Sequence, residues 1–182
     1  MSAELVERFD AKYIKFDFNQ DMLCDKAEKA LLKATKQLTK LRKEQAALLE
    51  KAIEEGLKDL NFADVKFEIA FGEFDNYTAD GMDDVEFMIS LNPGQPVRPL
   101  VNVASGGELS RIMLVIKSVM ADRDDIDTLI FDEIDAGISG VTAKIVAEKF
   151  AKLSKHVQII AISHLPQIVS YSDKSFLIEK IK

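Results

Sequence analysis

From Asp21 to about Leu60 the chain contains no proline, and no glycine before Gly56. Cys24, Ala27, Leu31, Ala34, Leu38, Leu41, Leu48 and Ala52 fall on alternating steps of three and four, with Gln45 the one polar member. That spacing is the a/d seam of a coiled coil over about four heptads. A helix of this length extends roughly 60 Å at 1.5 Å per residue, longer than a small domain is wide. Part of it must therefore project from any core the chain builds and find a partner helix. The residues before it, 1–20, include F-D-A-K-Y-I-K-F-D-F-N-Q, which mixes aromatics and charges without a clean period. They read as a short strand, a turn or an end segment.

Lys26, Lys29, Lys33, Lys36, Lys40 and Lys43 also step by three and four, on the helix face opposite the seam. A solvated outer face accounts for such a stripe; so does a track for a phosphate backbone, which would make binding depend on salt. The net charge of −7 comes wholly from residues after position 60. Net charge therefore argues against a nucleic-acid surface on that second part.

The segment Val103–Arg111, V-A-S-G-G-E-L-S-R, leads directly into an apolar, helix-forming run, Ile112–Ala121. Ser105 is a good N-cap, and Glu108 stands three residues on, the capping-box spacing. Gly106 and Gly107 occupy the first turn, where better helix formers would be expected. Lacking a Cβ, they let another group approach the backbone closely. The unpaired amides and positive dipole end of a helix start suit a phosphate oxygen. On these residues alone, an ordinary capped helix with two incidental glycines fits as well.

Val65–Phe71 and Val85–Leu91 alternate apolar and polar residues, as an antiparallel pair with one buried face does. A loop rich in Asp, Gly and Asn separates them. Asn92–Leu100 holds three of the four prolines and reads as an extended connector. Beyond the Ser105 helix, Asp122–Asp127 is an acidic turn. Thr128–Asp132, T-L-I-F-D, reads as a strand buried on both faces, with Asp132 and Glu133 at its carboxyl end. Asp135 and a G-I-S-G turn follow, then a helix over about Val141–Ser154. A second buried strand, Gln158–Ser163, ends at His164. Strand, helix, strand at this spacing is a βαβ unit with parallel strands. Asp132, Glu133 and His164 then share one carboxyl edge, where ligands of open α/β sheets bind. Taken singly, adjacent acids fit a solvated turn, a lone histidine fits a structural role, and Asp135 fits a turn cap. His156 reads as a surface residue. Lys174–Lys180 reads as one more strand.

At 182 residues and 47% hydrophobic content, the chain can form one domain, or one domain with an appendage. There is no apolar run long enough for a transmembrane helix. The N-terminus lacks signal-peptide regions, and the single Cys24 offers neither an internal disulfide nor metal spacing. A cytosolic protein is expected.

In order and spacing, S-G-G-E, L-I-F-D-E and A-I-S-H resemble the signature, Walker B strand and switch histidine of ABC-type ATPase heads. L-V-N-V-A-S-G-G-E-L-S-R-I-M-L, T-L-I-F-D-E-I-D-A-G-I-S-G and S-H-L-P-Q-I are similar to the C-terminal half of the RecN family, bacterial DNA double-strand-break repair ATPases related to SMC proteins. The likeness covers about residues 21–182. It implies an α/β C-terminal lobe of a P-loop ATPase head over residues 61–182, with a returning coiled-coil arm over residues 1–60. It implies ATP and Mg2+ as cofactors, with Asp132 holding Mg2+ through water. Glu133 would polarise the attacking water, and His164 would hydrogen-bond the γ-phosphate or that water. Ser105, Gly106 and Gly107, supported by Glu108, would contact the γ-phosphate of ATP on a second, opposing head. Implied partners are the Walker A half of the same protein, a second head, and DNA, with no membrane; the implied location is the cytoplasm, at the nucleoid. The chemistry agrees, since phosphoryl transfer asks mainly for positioning and charge stabilisation.

Three departures stand out. Ala104 replaces the usual signature leucine, and Ser139 stands where many D-loops have aspartate. Nowhere does G-x-x-x-x-G-K-[ST] occur, so these residues lack the amide cradle and lysine for the phosphates. Alone, the chain is expected to bind ATP poorly and not to hydrolyse it. The alternatives are another SMC- or Rad50-like chromosome or repair ATPase, a metal-dependent phosphoesterase using Asp132, Glu133 and Asp135, and a coiled-coil adaptor with an inert acidic pair.

Overall fold

The computed structural model describes residues 3–62, 64–102, 105–121 and 126–179, with residues 3–21 as backbone only. Val103, Ala104, most of the acidic turn after Ala121, and Lys180 lie outside these residues, so the Ala104 departure has no structural account.

Helix α1 spans Ala3–Lys58, so where the sequence suggested a strand, a turn or an end segment, residues 3–20 are continuous helix. Nothing in that segment breaks a helix: it contains neither proline nor glycine. Strand β1 (Lys66–Thr78) and strand β2 (Gly81–Ser90) form a hairpin, which short strand β3 (Arg98–Pro99) extends antiparallel to β2. The loop expected after Phe71 is instead strand, and the chain reverses only at Ala79–Asp80. The proline-rich connector turns at Gly94 (φ 77°), where Ser90 Oγ donates to the carbonyls of Asn92 and Gln95. A 3-10 turn, Leu100–Asn102, leads toward helix α2 (Gly106–Met120). Strand β4 (Thr128–Phe131), helix α3 (Gly140–Leu153) and strand β5 (Gln158–Ala161) form the expected βαβ unit. Its strands are parallel, with Thr128 paired to Gln158 and Phe131 to Ala161. Helix α4 (Pro166–Val169) follows, started by Pro166.

The chain divides into two compact units, residues 1–45 with 73–84, and residues 46–72 with 85–182. In the first, Asp83 at the far end of the hairpin accepts from Thr39 Oγ1 (2.6 Å) and Arg42 Nη1 (2.7 Å) of α1. In the second, Ile53 and Leu57 of α1 enter a core with Phe67, Ile89, Ile112, Val115, Phe131, Val146 and Phe150. There Glu54 and Glu50 accept the backbone N–H groups of Phe67 (2.9 Å) and Ile69 (2.6 Å). Four helical residues rise about 6 Å and two strand residues about 6.6 Å, so the carboxylates match alternate amides of β1. The last turns of α1 therefore belong to the second unit, although the sequence placed a boundary near residue 60.

The packed face of α1 is displaced by one residue from the seam read in the sequence. Thr35, Thr39, Arg42, Ala46, Leu49 and Ile53 are buried or half-buried, whereas Ala34, Leu38, Leu41, Gln45 and Leu48 are exposed. One residue is 100° around a helix, so the Leu/Ala seam lies to one side of the packed face, with Leu38 still reaching the hairpin turn at Gly81. It stays available to another helix.

Two expectations are corrected. β4 and β5 are covered on one face only: Phe131 is buried, but Ile130 is 69% exposed and Ile162 57%. The α3 crossover covers one face, and no described element covers the other. The tail over residues 174–179 is not strand; Phe176, Leu177 and Ile178 are exposed, with no sheet edge among the described residues beside them.

Leu57→Ala, at a fully buried position, is expected to destabilise the chain by about 2–5 kcal/mol in denaturant unfolding. Leu48→Ala, on the exposed seam, should cost less than about 0.5 kcal/mol. Equal costs would mean that the seam, and not the displaced face, is what packs.

Candidate functional site

The carboxyl ends of β4 and β5 lie side by side, because Ile162 N donates to the carbonyl of Phe131 at 2.9 Å. Asp132 and Glu133 leave one strand there, and Ser163 and His164 leave the other. Asp132, Glu133 and His164 are all exposed. The sequence therefore brings these three groups to one edge, as its βαβ pattern requires.

The turn after β4 is tightly made. Asp132 Oδ1 accepts from Glu133 N (2.8 Å), and the Glu133 carbonyl accepts from Ala136 N (3.0 Å). Between these bonds Glu133 adopts φ 53°, a left-handed conformation that costs a non-glycine residue about 1–3 kcal/mol. Gly137 (φ 73°) continues the turn, and Ser139 caps α3 from an extended conformation with its Oγ 3.4 Å from Thr142 Oγ1.

Helix α2 starts as the sequence predicts: Ser105 Oγ accepts from Glu108 N at 3.4 Å, and Ser105 and Gly106 are exposed. Its glycines serve a packing need that the motif did not reveal. A Cβ on Gly107 would lie 2.7 Å from Ala136 Cβ and 2.9 Å from the Glu133 carbonyl. One on Gly106 would meet Glu133 Oε2 at 2.5 Å. The bare helix start is thus seated on the turn after β4 in the same chain, and the Glu133 carboxylate lies over it. A negative group is favoured there by the dipole.

Two residues of the motif went unread as site residues. Ser110 Oγ donates to the Asp132 carbonyl at 2.6 Å, and Arg111 Nη1 to the Ala136 carbonyl at 2.8 Å. Their signal was available: both stand three or four residues after Gly107, on its face of the helix. Arg111 is 7% exposed and stacks over the Phe62 ring at 5.3 Å. Burial pulls its pKa below the ordinary value, against the attraction of Glu108.

Asp135, read as a turn cap, is a buried carboxylate joining the two loops. Its Oδ2 accepts from Ser163 Oγ (2.5 Å) and the His164 amide (2.7 Å), and lies 3.1 Å from His164 Nδ1. Burial raises its pKa, but these hydrogen bonds and the neighbouring imidazole together hold it below the usual carboxylate value.

For a hard cation the edge offers Asp132, whose Oδ1 is engaged by Glu133 N while its second oxygen points to no donor among the described residues. One carboxylate suits Mg2+, which keeps waters and takes its other ligands from substrate phosphates. Among the described residues no three His, Cys, Asp or Glu groups converge on a metal position, which disfavours the phosphoesterase alternative. The six lysines of the stripe on α1 are exposed, Lys40 lying 3.8 Å from Glu44.

The fold resembles the Smc head domain with an extended coiled coil from Pyrococcus furiosus. The TM-score is 0.60 at 19% identity, over 94% of this chain and 42% of that one. The Smc head with coiled coil and joint from Pyrococcus yayanosii gives 0.61 at 20% identity, over 93% and 32%. The chain thus has the fold of one lobe of an Smc-type head domain with its adjoining coiled-coil helix. No protein-family model matches it. It is 43% identical to the DNA repair protein RecN of Halalkalibacterium halodurans over 79% of its length, and 36% identical to that of Haemophilus influenzae over 99%. The chain belongs to the RecN family, in the C-terminal half of its head. It spans 26% and 32% of the length of these relatives.

Gly107→Ala is expected to destabilise the chain by about 1–3 kcal/mol, because backbone must move. Gly106→Ala should cost less, since only the tip of the Glu133 side chain must swing aside. Denaturant midpoints compare the two; a Gly107→Ala midpoint equal to that of the parent would refute the seating of α2 on the turn.

Proposed function

We propose that this chain is the C-terminal lobe of an ATPase head in a DNA double-strand-break repair protein. ATP engages two such heads, and hydrolysis releases them. The observation that carries the reading is the convergence of Asp132, Glu133 and His164 on one parallel-strand edge, beside a glycine-bare helix start. Asp132 would hold Mg2+ through water, and the ion when bound would supply charge neutralisation for the phosphates. Glu133 orients the attacking water, and His164 hydrogen-bonds that water or the γ-phosphate. Ser105, Gly106 and Gly107 of one head meet the γ-phosphate held by the other, which requires the Glu133 carboxylate to leave its position over Gly106. The phosphate-cradling loop with its lysine comes from outside these 182 residues, and without it the chain has no turnover of its own.

In the full-length protein, Glu133→Gln should lower the hydrolysis rate by about 10²- to 10⁴-fold while ATP-dependent pairing of heads persists. Phosphate release and sedimentation read the two effects. An unchanged rate would overturn the reading.

The exposed lysines Lys26, Lys29, Lys33, Lys36, Lys40 and Lys43 form a track for the DNA backbone. Replacing Lys29, Lys33 and Lys36 by Glu should weaken DNA binding by the full-length protein and flatten its dependence on salt. Identical salt slopes for parent and variant would show that the stripe is only a solvated face.

A further inference from the structure

The edge contains one buried ionised group that the functional reading leaves unused. The Asp135 side chain is 6% exposed, whereas that of His164 beside it is 78% exposed. No wall of side chains therefore holds the imidazole; what reaches it is Oδ2 of Asp135, 3.1 Å from Nδ1. The same oxygen accepts from the His164 amide and from Ser163 Oγ, and Ser163 Oγ in turn accepts from Leu165 N at 3.1 Å. Backbone and side chain of His164 are thus referred to one fixed atom. An ionised carboxylate only accepts. A carboxylate oxygen 3.1 Å from Nδ1 favours hydrogen on that nitrogen, and the partner of one nitrogen decides the state of the other.

We infer that Asp135 is a positioning residue for His164: it fixes the ring with Nδ1–H toward Oδ2 and presents Nε2 outward at the nucleotide edge. The inference rests on the proposed role of His164 and sharpens it. In the neutral ring so held, Nε2 is a lone-pair acceptor and engages the attacking water. Only the doubly protonated ring can donate from Nε2 to a phosphate oxygen, and Asp135 then supplies the counter-charge. Asp132 and Glu133 cannot replace it in this role, because Asp135 alone of the three is bonded to the loop that carries His164.

The test uses full-length protein labelled with 15N-histidine, in mildly alkaline solution without nucleotide; the His164 signals are assigned by their loss in His164→Gln. The expected spectrum shows protonated Nδ1 and unprotonated Nε2. Asp135→Ala should move His164 toward the Nε2–H form and lower kcat by about ten- to a hundredfold, the usual cost of losing a partner that orients a histidine, with little change in the KM for ATP. Wild-type protein already in the Nε2–H form, or an Asp135→Ala spectrum like the parent's, would overturn the inference. If Asp135→Ala fails to fold, the wild-type spectrum and the isosteric Asp135→Asn decide it. Unchanged hydrolysis in His164→Gln would sink the proposed role of His164 while the spectra still judged the grip of Asp135.

Discussion

The site depends on how the first two turns of α2 sit on the turn that leaves β4. Gly107 gives the close approach, Ser110 takes the Asp132 carbonyl and Arg111 takes that of Ala136. The Arg111 contacts are worth about 1.5–3 kcal/mol for the charged hydrogen bond and about 0.5–2 kcal/mol for the stack on Phe62. Against them stands a buried Nε with no partner among the described residues, a loss of about 1–3 kcal/mol. Burying the guanidinium therefore adds little net stability. What it adds is position: the turn after β4 is pinned at both ends by one rigid helix, so its carboxylates are aimed without relying on their own packing.

How much was legible follows from which forces leave a pattern in sequence. The parallel edge was legible, because strand, helix and strand at that spacing permit one arrangement, and Asp132, Glu133 and His164 follow from it. The packed face of α1 was not. Thr35, Thr39, Arg42, Glu50 and Glu54 contribute to it, and a search for apolar periodicity passes over residues whose partners are Asp83 and the amides of β1. The continuous Leu/Ala seam one residue away is the stronger apolar signal, yet it is exposed here. Asp135 was misread for a related reason. A buried acid and a solvated turn acid look alike until the donors Ser163 and His164, distant in sequence, are placed around it.

The expectations that failed on burial share one cause. Ile130, Ile160 and Ile162 on the open face of the sheet, Phe176–Ile178 in the tail and the α1 seam are apolar surfaces that the sequence marks as interior. A chain spanning about a third or less of its relatives' length can carry the pattern of an interior without the elements that cover it. Periodicity reports what a surface is suited to meet, and does not report whether the partner lies within the same stretch of chain.

Glu133 shows how position and strain are linked. Its left-handed backbone is held from both sides, by Asp132 Oδ1 on its amide and by Ala136 N on its carbonyl. Gly107 lies against that same carbonyl, so α2 cannot shift at its start without disturbing the turn. A glycine at position 133 would relieve the strain but would carry no carboxylate. A glutamate there keeps the acid at the cost of a conformation that only a tightly closed turn sustains. The strain thus ties the aim of the acid to the seat of α2: displacing the helix start loosens the turn, and the loosened turn has no reason to keep Glu133 pointed where it is.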